Sequence, residues 1–105
     1  MRYKVGKFND FADSSPVTIR ITSNFHVVLI KSANRIYAIN DECPHKGAPL
    51  GEGEVEGTEI VCPWHFWRFD IKTGVCTDGG DQNVACYHVT VEGEDVFVDV
   101  PDLKT

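Results

Sequence analysis

Apolar and polar positions alternate with a period of two through most of the chain. Val17, Ile19 and Ile21 interleave with Thr18, Arg20 and Thr22, the pattern of a strand buried on one side. Residues 3–8, Val17–Thr22, 25–31 and Arg35–Asn40 are all rich in Val, Ile, Phe and Tyr. Turn-forming residues divide them: Asn9-Asp10 through Ser14-Ser15-Pro16, then Ser23-Asn24, then Ser32-Ala33-Asn34. Four strands are therefore predicted in the first forty residues. Further on, a strand is expected over residues 67–71, a turn at Lys72-Thr73-Gly74 and an irregular loop over residues 77–81. A closing hairpin, residues 87–91 and 96–100, folds around Glu92-Gly93-Glu94-Asp95. No helical periodicity of comparable length appears. Many short strands with regular turn signals give an all-β domain, a sandwich or small barrel, and 105 residues suffice for one domain and not for two.

The alternation breaks over residues 41–67, and there the chemistry collects. Cys43-Pro44-His45 and Cys62-Pro63-Trp64-His65 each offer one thiolate and one imidazole, with sixteen residues between His45 and Cys62. Two Cys and two His suit a structural zinc ion. They also suit a [2Fe-2S] cluster in which one iron takes the sulfur ligands and the other the imidazoles. Zinc sites usually build each half from a like pair, such as C-x2-C followed by H-x3-H, so the mixed halves favour iron and sulfide and leave zinc as the alternative.

The segments Cys43-Pro44-His45-Lys46-Gly47-Ala48-Pro49-Leu50 and Cys62-Pro63-Trp64-His65-Phe66-Trp67-Arg68-Phe69-Asp70 resemble the Rieske family, and closely its soluble ferredoxins. The resemblance covers about residues 35–100. It implies an antiparallel β-sandwich base with a small cluster-binding subdomain inserted at about residues 39–80, the whole of 1–105 forming one domain. It implies one [2Fe-2S] cluster per chain, held through Cys43 and Cys62 on one iron and His45 and His65 on the other. The implied role is one-electron transfer from a flavin-dependent reductase to the terminal oxygenase of a ring-hydroxylating system. The small subunit of an NAD(P)H-dependent nitrite reductase is similar as well, and is the alternative within the family. With all four protein ligands in place such a centre has no open position, and the chain shows no nucleophile–base pair or phosphate loop. The expectation is a carrier that is not catalytic alone.

Two thiolates and two neutral imidazoles leave the oxidised cluster formally neutral, whereas four thiolates would make it a dianion, so it should accept an electron more readily than a plant-type ferredoxin. Within the family, quinol-oxidising members place a Ser and a Tyr hydroxyl after the second His. The corresponding positions here are Trp67 and Phe69. Those members also tie the two loops with a disulfide, where this chain has Ala48 and Trp64. Fewer hydrogen bonds to sulfur predict a potential nearer the bottom of the Rieske span of roughly −150 to +300 mV.

A formal charge of −6 disfavours nucleic acid and anionic membranes as partners and favours a basic protein. No apolar run reaches 18 residues and the first residues lack a signal peptide's apolar centre, so a cytoplasmic location is expected. Cys76 and Cys86 are expected as thiols filling core space, and Trp64 and Trp67 as packing residues. Gly47, Gly51 and Gly53 should let the loops turn tightly and offer N–H donors near sulfide, while Pro44, Pro49 and Pro63 stiffen them. Phe66 stands where many members of the resembled family have Gly, and residues 77–81 lack prolines common there. His26 and His88 fall inside strands with no Cys at ligand spacing and are not expected to bind metal. Glu52, Glu54, Glu56 and Glu59 form an acidic run that is either a solvated face or a dock for a basic reductase.

Overall fold

The computed structural model describes residues 1–44, 47–64 and 66–101. Ten strands account for nearly all of its regular structure: β1 Arg2–Lys7, β2 Val17–Thr22, β3 Phe25–Ser32, β4 Arg35–Asn40, β5 Glu54–Glu56, β6 Glu59–Val61, β7 Arg68–Asp70, β8 Cys76–Asp78, β9 Cys86–Glu92 and β10 Asp95–Asp99. Two single-turn 3-10 helices, Phe8–Asp10 and Leu50–Glu52, are the helical content of the described residues. The strands form a six-stranded sheet, ordered β1-β10-β9-β4-β3-β2, and a four-stranded sheet, β5-β6-β7-β8, whose strands fall between β4 and β9 in the chain. Every pairing within both sheets is antiparallel.

The all-β reading holds, and the strands at either end of the chain fall within a residue or two of their expected bounds. Departures concentrate in the middle. β5 and β6 were not expected, because three residues rich in Glu carry too little alternation to read as a strand. The loop expected over residues 77–81 is instead opened by the edge strand β8, in register with β7 through Arg68↔Asp78. Cys86 is not a core filler. It opens β9 on the exposed side, and Cys76 is half-buried; neither is in a disulfide.

Strand β3 explains how two sheets share one short chain. Val27 and Leu29 point into a core made with Phe11, Ile36, Ala38, Val96 and Val98, onto which Val17, Ile19 and Ile21 of β2 also pack. Val28 and Ile30 point the other way, into a second core with Ile39, Leu50, Ile60, Phe69 and Ile71. All four β3 residues are fully buried, so β3 and its neighbour β4 form a wall with an apolar core on each face. The continuous run Val-Val-Leu-Ile at this point, where β2 alternates, is the sequence mark of that double burial.

Replacing Leu29 or Ile39 by Ala should cost about 2–5 kcal/mol in equilibrium unfolding, since each leaves a cavity in a filled core. Arg20→Ala, on the outward face of β2, should stay within about 0.5 kcal/mol of wild type. Equal losses at all three would contradict this assignment of faces.

Candidate metal centre

The two Cys-bearing segments are built as the same hairpin tip. In the first, the Cys43 N–H donates to the Ala48 carbonyl at 2.9 Å and the Gly47 N–H returns to the Cys43 carbonyl at 2.8 Å. In the second, the Cys62 N–H donates to the Trp67 carbonyl at 2.7 Å and the Phe66 N–H to the Cys62 carbonyl at 3.1 Å. Each tip thus opens with Cys-Pro, spans four residues and closes on the residue after Gly47 or Phe66. Proline suits the first of the four places because its ring presets φ and the turn needs no N–H there. The fourth place requires a positive φ, +74° at Gly47 and +61° at Phe66. Glycine meets that requirement freely, but an L-residue with a side chain gives up about 1–2 kcal/mol.

Each tip stands on a different support. The second prolongs the β6–β7 hairpin beyond the pair Val61↔Arg68. The first is a small hairpin of its own, bridged at Glu42↔Pro49 and by the Leu50 N–H to the Asp41 carbonyl at 2.7 Å. Its base is tied to the six-stranded sheet at three points. The Asp41 N–H donates to the His26 carbonyl at 3.1 Å, the Asn40 amide donates to the Tyr87 hydroxyl at 3.1 Å, and the Asn40 side-chain oxygen accepts the Glu42 N–H at 2.7 Å. Asp41 also accepts the Gly51 N–H at 2.8 Å. Asn40, Asp41 and Tyr87 were not singled out in the sequence, although Asn-Asp directly before a tight turn is a recognisable signal for side chains that bond local backbone.

Both thiols are 1% exposed and belong to the second core, among Leu50, Ile60 and Phe69. None of the four cysteines is in a disulfide. Buried cysteines are ordinary core residues in many proteins. Here, though, each stands at the foot of a tip whose next residues carry the imidazoles, and two thiols in one apolar core are suitable donors for one iron of a [2Fe-2S] group. The other half of the expected ligand set, His45 and His65, lies outside the described residues.

The glycines do less than expected as donors and more as spacers. The N–H groups of Gly47, Gly51 and Gly53 are all spent within the protein, on Cys43, Asp41 and Leu50. A Cβ on Gly51 would run into the Thr18 hydroxyl, and one on Gly53 into the Val61 carbonyl, one residue before Cys62. Trp67 packs as expected: its ring lies on Gly79 and Gly80, where any Cβ would collide with it, and it meets Phe69 at 6.4 Å between centroids. Trp64 does not pack; it is 53% exposed. His88 faces solvent and His26 is half-buried in β3, where its backbone carbonyl supports the first tip.

Glu54, Glu56 and Glu59 of the acidic run lie on the β5–β6 hairpin, and Glu52 ends the 3-10 turn before it. Arg68 donates to Glu56 at 2.8 Å and lies 3.6 Å from Glu59, while Glu52 and Glu54 face solvent. The Glu56 hydrogen bond and charge, with a smaller share from Glu59, raise the Arg68 pKa above its already high ordinary value, so this cation stays fixed.

Comparison with known proteins agrees with this geometry. A family model described as the Rieske [2Fe-2S] domain matches residues 1–96. The ferredoxin component of the p-cumate 2,3-dioxygenase system of Pseudomonas putida is 35% identical over 94 residues, covering 88% of this chain and 80% of that protein. The solved ferredoxin of carbazole 1,9a-dioxygenase from Nocardioides aromaticivorans IC177 superposes with a TM-score of 0.87 at 28% identity, over 92% of this chain and 95% of that one. A putative NADH-dependent nitrite reductase small subunit from Mycobacterium tuberculosis shares the fold, with a TM-score of 0.85 at 17% identity and 97% of each chain covered.

Gly53→Ala should force β6 away from the turn before it and lower stability by about 1–3 kcal/mol. At roughly 4–8 °C per kcal/mol for a domain of this size, the loss is readable as a fall in Tm. An unchanged Tm would mean that the approach of Gly53 to Val61 is not a fixed constraint.

Proposed function

The chain belongs to the Rieske [2Fe-2S] family, and from that premise we propose that it is a one-electron carrier, taking electrons from a flavin-dependent reductase and delivering them to a terminal oxygenase. The observation that carries this reading is the pair of like tips that bury Cys43 and Cys62 in one core. Cys43, His45, Cys62 and His65 are the proposed ligands, and residues 39–80 the proposed cluster-binding part of a single domain. When bound, the cluster supplies a site that gains and loses one electron. The protein's part is to hold both thiols as ligands, keep water from them and fix the tips so that little rearrangement accompanies the change of charge. The 35% identity to a dioxygenase ferredoxin supports the oxygenase as acceptor. The likeness to a nitrite reductase small subunit, at 17% identity, is one of fold and favours no second reading.

Phe69 is fully buried and Trp67 is committed to the Gly79-Gly80 backbone, so neither position supplies a hydroxyl to sulfur. This supports a low potential. No helix among the described residues is long and apolar enough to cross a membrane.

The dithionite-reduced protein should give an EPR signal of a mixed Cys/His cluster, with a midpoint in the lower part of the roughly −150 to +300 mV range. Replacing His45 and His65 together by Cys should move the spectrum toward the four-thiolate type and the midpoint toward about −400 mV. An unchanged spectrum would reject the ligand assignment, and a midpoint near the top of the range would reject the account of the missing hydroxyls.

A further inference from the structure

Phe66 is at odds with its surroundings in two respects. It occupies the fourth place of the second tip at φ +61°, where its counterpart in the first tip, at φ +74°, is Gly47. It is also 71% exposed, the most exposed of the large apolar side chains in the described residues, and Trp64 beside it is 53% exposed. Folding gains nothing from an aromatic ring held in solvent on a backbone that favours glycine. A residue that opposes both local conformation and burial points to a use outside the fold.

Its neighbourhood indicates what that use is. Phe66 and Cys62 line a groove of about 580 Å³ together with residues of the β5–β6 hairpin. The charged residues lining it are Glu52, Glu54, Glu56, Asp78 and Arg68. Four carboxylates against one guanidinium leave a formal −3, and that guanidinium is already engaged by Glu56 at 2.8 Å. Glu52, Glu54 and Asp78 have no ion pair among the described residues and face solvent.

We propose that Phe66 and this acidic groove are the docking surface for the electron acceptor, a protein that presents an apolar socket to the ring and Lys or Arg side chains to Glu52, Glu54 and Asp78. An aromatic anchor with a charged rim is the usual division of labour at a protein interface: the ring supplies the affinity and the charges supply encounter rate and orientation. The anchor lies four residues from the proposed ligand Cys62, so docking there brings the acceptor to the cluster end of the chain. This assignment rests on the carrier function above. It gives the acidic run a use that neither expectation named, docking of the acceptor rather than of the reductase, and assigns partner selectivity to a single residue of the tip.

The test is steady-state and stopped-flow reduction of the terminal oxygenase purified from the same host, with the reduced holoprotein as donor. Phe66→Gly keeps the positive φ without strain, and Phe66→Asn tolerates it, so both variants retain the tip. Each should keep the wild-type cluster spectrum and midpoint, leave the limiting rate unchanged and raise KM at least tenfold, about 1.4 kcal/mol of docking. Phe66→Tyr, which keeps the aromatic area, should restore KM. Glu52→Gln with Glu54→Gln should slow association at low salt and flatten its ionic-strength dependence. If the wild-type protein does not reduce the oxygenase, the functional reading falls and the surface with it. If it does and Phe66→Gly leaves KM unchanged, the surface alone is overturned. An unaltered salt dependence in the double Glu variant would overturn the cationic partner.

Discussion

Two pairs of main-chain hydrogen bonds, one around Cys43 and one around Cys62, are the constraint on which the rest of this protein depends. Each pair forces the chain to reverse within four residues directly after a cysteine. The thiol is left at the foot of the turn, buried in the core. Without that reversal the cysteines would be two small apolar residues in a β-protein. With it, they become two buried thiols at matching turns, the pair proposed as donors to one iron. The turn also dictates its own sequence, proline where no N–H is needed and a left-handed residue at the close.

The remaining architecture holds these two turns against one wall. β3 and β4 carry a core on each face, one that stabilises the six-stranded sheet and one that receives both thiols. The first tip is tied to that wall by Asn40, Asp41 and the His26 carbonyl, and the second by Ile60 and Phe69, which flank it on β6 and β7 and enter the same core. The close approach at Gly53 locks the first tip's support to β6, and that at Gly51 locks it to β2. Electron transfer is favoured by a site that moves little when its charge changes, and backbone held on both sides of each proposed ligand is a direct means to that end.

Much of this was legible in the sequence because it rests on strong local signals. Period-two alternation located β2, and turn signals bounded β3 and β4, although the burial of Val27–Ile30 on both faces of the sheet went unread. Cys-Pro at both tips, with the mixed Cys/His spacing, points to the family. What escaped was set by long-range packing. β5, β6 and β8 have three residues each and exist through their partners rather than their own propensity. Gly79 and Gly80 read as part of an irregular loop, and only the fold shows the Trp67 ring lying across them. The exposure of Cys86 and Trp64 is a property of the folded chain, which no window of sequence reports.

The central claim is that the two tips together serve one iron–sulfur cluster. Iron, labile sulfide and zinc measured on the native protein test it most directly. The account predicts two irons and two sulfides per chain, with zinc absent. One zinc per chain, with neither iron nor sulfide, would contradict it.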